Sequence, residues 1–219
     1  MSGWTGPIED EPADDRPVLK TVQRYSGKVW DVRTDTVDLG KAGQVERDVV
    51  IHTGAVGVIA LDDQERVLLL RQYRHPVAAY CWEPPAGLLD VEGEDPAETA
   101  KRELLEETGY RARTWHVLVD YFNSPGGTTE SFRCYLAQDL EEVSDEEREE
   151  GEGEELDMPT TWVPLDDAVG LVLSGRVHNP TAVSGILATV TARSRGWRDL
   201  RPADAPWKWR IPKTATDSP

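Results

Sequence analysis

Two apolar runs, Ala55–Leu61 and Val67–Tyr73, stand out along the chain, separated by the turn residues Asp62-Asp63-Gln64. Continuous apolar stretches of this length predict strands buried on both faces. Ahead of them, Lys28–Arg33, Asp35–Leu39 and Val45–His52 mix β-formers with polar residues around a Gly40–Gly43 turn. They predict a small antiparallel sheet, too thin to stand without the rest of the chain or a partner against it. Downstream, Asp95–Thr108 predicts a helix: Ala97, Ala100, Leu104 and Thr108 form one stripe, Pro96 sits in the first turn and Gly109 just past the end. Trp115–Tyr121 and Ser131–Ala137 read as further strands, and Thr161–Pro164 as a short extended piece. Two helices follow, near Leu165–Ser174 and Thr181–Arg195. Strands bracketed by helices define an α/β chain with a mixed sheet between helical layers. Residues 1–17 are expected to form a poorly ordered N-terminal segment, 18–52 the small sheet, 53–198 the main domain and 199–219 a tail.

Composition narrows the functions open to such a chain. The 219 residues are long enough for a full core. A formal net charge of -17 argues against nucleic acid as a partner, since its phosphates need a positive surface. No apolar run approaches the ~20 residues of a membrane-spanning helix. The acidic, Gly- and Pro-containing start, Met1 to Pro17, lacks the features of a signal peptide. Two cysteines, Cys81 and Cys134, make neither a disulfide framework nor a zinc spacing. A reducing, cytoplasmic setting with both as small buried side chains is the expectation.

Chemistry concentrates on the Asp95–Thr108 helix. Glu103, Glu106 and Glu107 lie three and four apart and share one side. On spacing alone, a solvated charged face is the commoner explanation. The preceding Pro84-Pro85-Ala86-Gly87 turn changes that balance, because its carbonyls add oxygen donors to the carboxylates. Such an all-oxygen set suits magnesium or manganese. The four histidines, His52, His75, His116 and His178, have no paired spacing for zinc. Bound cations would also offset the acidity of the chain toward a phosphate-bearing substrate.

Arg102-Glu103-Leu104-Leu105-Glu106-Glu107-Thr108-Gly109-Tyr110, with seven residues between Glu94 and Arg102, resembles the Nudix box. Six residues separate Gly87 from Glu94, one more than that pattern has, which places an extra residue in the loop around Val91–Gly93. The resemblance runs from about Lys28 to Arg195. It implies a Nudix α/β/α sandwich that hydrolyses a nucleoside diphosphate linked to another group. By the same match Glu103, Glu106 and Glu107 bind Mg2+, or Mn2+ in its place, with the Ala86 carbonyl as a further ligand. Arg102 and Glu94 pair to hold the loop against the helix.

Elements outside the box are similar to the ADP-ribose pyrophosphatase subgroup. Pro125, in Ser124-Pro125-Gly126-Gly127, lies sixteen residues after Gly109. Arg71-Gln72-Tyr73-Arg74 and Trp82-Glu83-Pro84-Pro85 also match. The resemblance implies substrate contacts from Arg74, Glu83, Pro125 and Gly126, with Trp82 left to packing. It places the catalytic base on the acidic stretch Ser144–Asp157, where Glu155 is the first choice and Glu154 the second. It also implies a homodimer, in which the small sheet is exchanged and Arg47 reaches the partner's small-molecule nucleotide. The Trp-rich tail (Trp197, Trp207, Trp209) has no counterpart in the resemblance and is expected to dock on the body.

Overall fold

The computed structural model describes residues 3, 5–144 and 158–210. Two compact units divide them after His52. The first holds β1 (Val18–Ser26), β2 (Asp31–Asp38) and β3 (Gln44–Ile51), an antiparallel sheet with β2 in the centre. Here the strands predicted at Lys28–Arg33 and Asp35–Leu39 give way to a hairpin and one continuous strand. Asp31 Oδ1 accepts from Ser26 Oγ at 2.8 Å and from the Gly27 N–H at 3.3 Å, so residues 27–30 turn rather than extend. Polar side chains link the sheet: Arg24 donates to Thr34 Oγ1, which donates to Asp48 (2.8 and 2.6 Å).

The second unit contains β4 (Ala55–Ala60), β5 (Arg66–Arg74), β6 (Ala79–Glu83), β7 (Ala86–Leu88), α1 (Pro96–Thr108), β8 (Tyr110–Phe122) and β9 (Ser131–Glu142). It continues with β10 (Thr160–Pro164), α2 (Leu165–Leu173), α3 (Pro180–Ser194) and β11 (Arg201–Pro202). A five-stranded sheet runs β11-β8-β9-β4-β7, mixed because β4 and β9 pair in parallel; a second sheet runs β10-β5-β6. Alternation along β4 sorts the core into two layers. Val56, Val58 and Ala60 pack with Ala97, Ala100 and Leu104 of α1. Ile59 packs with Leu165 and Ala168 of α2 and with Ala182 and Ile186 of α3. The result is the expected α/β/α sandwich.

Local chemistry sets the limits of α1. Asp95 accepts the Ala97 N–H at 2.8 Å and caps the start, with Pro96 next to it. Gly109, at φ 71°, adopts the left-handed conformation that ends the helix and returns its N–H to Leu105 O. Cys134 is fully buried, and burial pushes its thiol up to about 12, so it behaves as an inert core residue. Cys81 is only half-buried. No helix among the described residues is long and apolar enough to cross a membrane.

Candidate active site

The predicted stripe Ala97, Ala100, Leu104 and Thr108 is on the buried face of α1 with Glu103; Glu103 and Glu107 meet the segment before the helix, while Glu106 lines the outward side. Glu107 Oε2 accepts the Ala86 N–H at 2.9 Å. Glu103, 9% exposed, lays its carboxylate against Gly87, where a Cβ would overlap it. A side chain there would require the Glu103 carboxylate to move.

Arg102 organises the carboxylates. Its Nη1 donates to Glu103 Oε1 (2.7 Å) and to Glu106 Oε2 (3.0 Å). Its Nε and Nη2 donate to the two oxygens of Glu94 (3.2 and 3.1 Å), which also accepts from Thr99 Oγ1 at 2.8 Å. The bond from Arg102, with that from Thr99, holds the Glu94 carboxyl below the usual carboxylate range. Arg102 is raised above the ordinary arginine value, first by Glu94 and then by Glu103 and Glu106.

Among the described residues no three His, Cys, Asp or Glu side chains stand close enough together to hold an ion. Positive charge between Glu103 and Glu106 is supplied instead by the Arg102 guanidinium. The chemistry of the three side chains, all carboxylate oxygens, is that of a hard divalent ion's ligands. Binding one between Glu103 and Glu106 would require Arg102 to give up its bonds to them.

Beside this cluster, Glu83 at the end of β6 is 1% exposed and accepts from Arg74 Nε (2.9 Å) and Nη2 (2.6 Å). Arg74 is raised, first by that hydrogen bond, with Glu107 adding to it through its charge. Arg74 and Glu83, two residues singled out separately in the sequence, therefore form one fork-to-carboxylate pair next to the helix. The outward side of α1 borders a cavity of about 570 Å³ lined by Lys101, Arg102, Leu105, Glu106, Arg111 and Trp115.

The remaining predicted residues lie elsewhere. Pro125 and Gly126 occupy an exposed turn after β8, and a Cβ on Gly126 would meet open space. Arg47 belongs to the N-terminal unit, exposed on β3, with Nη1 donating to Glu46 O at 3.0 Å. Glu154 and Glu155 lie outside the described residues. The flanks of their segment are anchored: the Val143 N–H donates to Gly109 O (2.9 Å) and the Arg71 N–H to Pro159 O (3.0 Å). Sequence reasoning missed the Glu103–Gly87 approach, for which the glycine after Pro-Pro-Ala was the one available signal.

A carboxylate-bearing helix holding the strand before it, within an α/β/α sandwich, places the chain among hydrolases of α/β architecture that carry their acidic groups on one helix. More narrowly, the NUDIX domain model matches residues 51–182, and the chain belongs to the Nudix family. It is 45% identical over 183 residues to an ADP-ribose pyrophosphatase of Mycobacterium tuberculosis, covering 84% of this chain and 86% of that protein. An ADP-ribose pyrophosphatase of Bacillus subtilis is 38% identical over 72% of this chain and 83% of its own length. A solved ADP compounds hydrolase superposes with a TM-score of 0.67 at 21% identity, over 85% of this chain and 99% of that one, which supports the fold. Family membership and the sandwich architecture read from the sequence are both borne out.

Proposed function

We propose that the chain hydrolyses the diphosphate of ADP-ribose to AMP and ribose 5-phosphate, using Mg2+ or, in its place, Mn2+. The observation that carries this reading is the approach of Glu103 and Glu107 to the Ala86–Gly87 backbone of β7, with Glu106 joined to Glu103 through Arg102. Similarity to two ADP-ribose pyrophosphatases supplies the substrate.

Glu103, Glu106, Glu107 and the Ala86 carbonyl would hold the metal. A bound divalent ion offsets the diphosphate's charge and lowers the pKa of the attacking water. Arg74, its guanidinium plane oriented by buried Glu83, presents its remaining N–H groups to the diphosphate. The Pro125–Gly126 turn borders the rest of the substrate. Glu155, or failing it Glu154, takes the proton of the attacking water; anchors at Gly109 and Arg71 place both ends of that segment beside the metal helix and Arg74, which supports the role. The protein acts as a cytoplasmic homodimer through the 18–52 sheet, and Arg47 reaches the partner's nucleotide. The exposed Val18, Leu19, Tyr25, Val29 and Trp30 on that unit support the dimer. Neither nucleic acid nor membrane is a partner in this reading.

The test incubates purified protein and Mg2+ with ADP-ribose, NADH, GDP-mannose, diadenosine polyphosphates and nucleoside triphosphates, with chromatographic detection of products. ADP-ribose is expected to give the highest kcat/KM, with AMP and ribose 5-phosphate in equal amounts. Faster turnover of another nucleoside diphosphate sugar would move the activity to that substrate. Binding of ADP-ribose without any turnover would make the chain a nucleotide-binding or sensor protein.

A further inference from the structure

The C-terminal segment lies outside residues 51–182 that match the family, yet it is built into the sheet. β11 pairs with β8, Arg201 opposite Val117 and Pro202 opposite His116. The pairing is antiparallel, and a turn closed by the Ala205 N–H on Pro202 O (3.0 Å) then sends the chain back along β8 toward its end. Arg201 Nη1 donates to Asp120 Oδ2 at 2.8 Å. Arg133 of β9, 2% exposed, is held by Asp120 on one side (2.8 and 2.9 Å). On the other side it donates to the carbonyls of Ala205 (2.7 Å) and Pro206 (3.3 Å). The Trp207 ring lies 4.7 Å from the Arg133 guanidinium carbon. Finally Trp209 stands edge-on to Phe122, ring centres 5.9 Å apart.

Phe122 is the last residue of β8, and the next residue opens the turn that carries Pro125 and Gly126. The neck of that turn is closed by Asn123, whose N–H donates to Glu130 O (3.1 Å) and whose Nδ2 donates to Glu130 Oε1 (3.0 Å). The same segment also faces the start of α1, across a cavity of about 260 Å³ lined by Asp95, Pro96, Arg133, Tyr135, Trp207 and Arg210. A segment that served only to cover apolar surface would need neither two carbonyls on a buried arginine nor an aromatic contact at the neck of a turn.

We infer that residues 201–210 form a positioning strap, and that Trp209 on Phe122 holds the Asn123–Glu130 turn in the orientation that binds substrate. The effect on substrate rests on the proposed reading of that turn; the effect on the turn itself does not. The experiment compares Trp209→Ala, Trp209→Leu and Trp209→Phe with the parent chain by amide hydrogen exchange and steady-state kinetics. In the Ala and Leu variants, exchange across 123–130 is expected to rise by about tenfold while β4 stays protected. KM for ADP-ribose is expected to rise by about fivefold with kcat changed less than ~2-fold, and the Phe variant to restore both. The Leu variant keeps apolar bulk, so it remains informative if the Ala variant does not fold. Unchanged exchange in the turn, an unchanged KM, or a parallel rise across β4 would overturn the inference. If the parent chain leaves ADP-ribose intact, the functional reading fails, and exchange alone decides the strap.

Discussion

Glu107 reaches back across 21 residues of sequence to accept the Ala86 N–H at 2.9 Å. Helix α1 thereby grips β7, and Glu103 does the same one residue further on by lying against Gly87. Helix and strand behave as one body, so a change in either is transmitted to the carboxylates.

Gly87→Ala is the sharpest test of that coupling. The added methyl must displace the Glu103 carboxylate, the far end of a flexible side chain, so the carboxylate moves at a cost below the ~1–3 kcal/mol of core overpacking. A fall in Mn2+ affinity, measured by electron paramagnetic resonance titration, should accompany a modest drop in Tm. Unchanged affinity would separate β7 from the metal site.

Glu106→Gln keeps the shape of the side chain and removes its charge. Metal-dependent kcat should fall by about 100-fold, within the range typical of altered metal ligation, while the circular dichroism spectrum stays that of the parent. Full activity in this variant would remove Glu106 from the ligand set.

Arg74→Ala leaves Glu83 buried without its fork. Breaking a fully buried pair costs about 3–5 kcal/mol, and the half-exposed Arg74 side chain lowers the expected loss to about 2 kcal/mol. Urea unfolding measures this directly. Arg74→Lys should recover only part of it, since an ammonium cannot form the two parallel bonds.

Acid should act through Glu94. Its folded pKa lies below the ordinary 4.5, chiefly because Arg102 bonds to the charged form. A depressed carboxylate pKa contributes stability that is present above the unfolded value and is lost as pH falls through the folded one. The Tm advantage of the parent chain over Glu94→Gln should therefore be full at pH 7 and close below about pH 4.5. A gap that does not narrow at all as pH falls below about 4.5 would assign the advantage to packing rather than charge.

Glu155→Gln and Glu154→Gln separate the two candidates for the base. The true base should lose about 100-fold or more in kcat, in line with general-base contributions, with Mn2+ affinity retained. Equal, small losses from both would move the role elsewhere.

Much of the site was legible along the chain because it is local. The 3.6-residue period of Ala97, Ala100, Leu104 and Thr108 dictates which side of α1 is buried, and so which side carries Glu103, Glu106 and Glu107. Asp95, Pro96 and Gly109 mark its ends by backbone chemistry that needs no tertiary context. The buried strands declared themselves by apolar runs. By contrast, β1 escapes a sequence reading because its mixed residues are largely exposed and have no strong period, and the start of β2 depends on bonds to Asp31.

Tertiary structure alone decided the contacts between distant residues. Arg74 meets Glu83 only because β5 and β6 pair in register. Glu103 meets Gly87 only because β7 lies alongside α1. Arg133 meets Ala205, and Trp209 meets Phe122, only because the tail returns to β8. Local periodicity reports which face of an element is buried; which partner it is buried against depends on how the elements pack, and no short window of sequence carries that information.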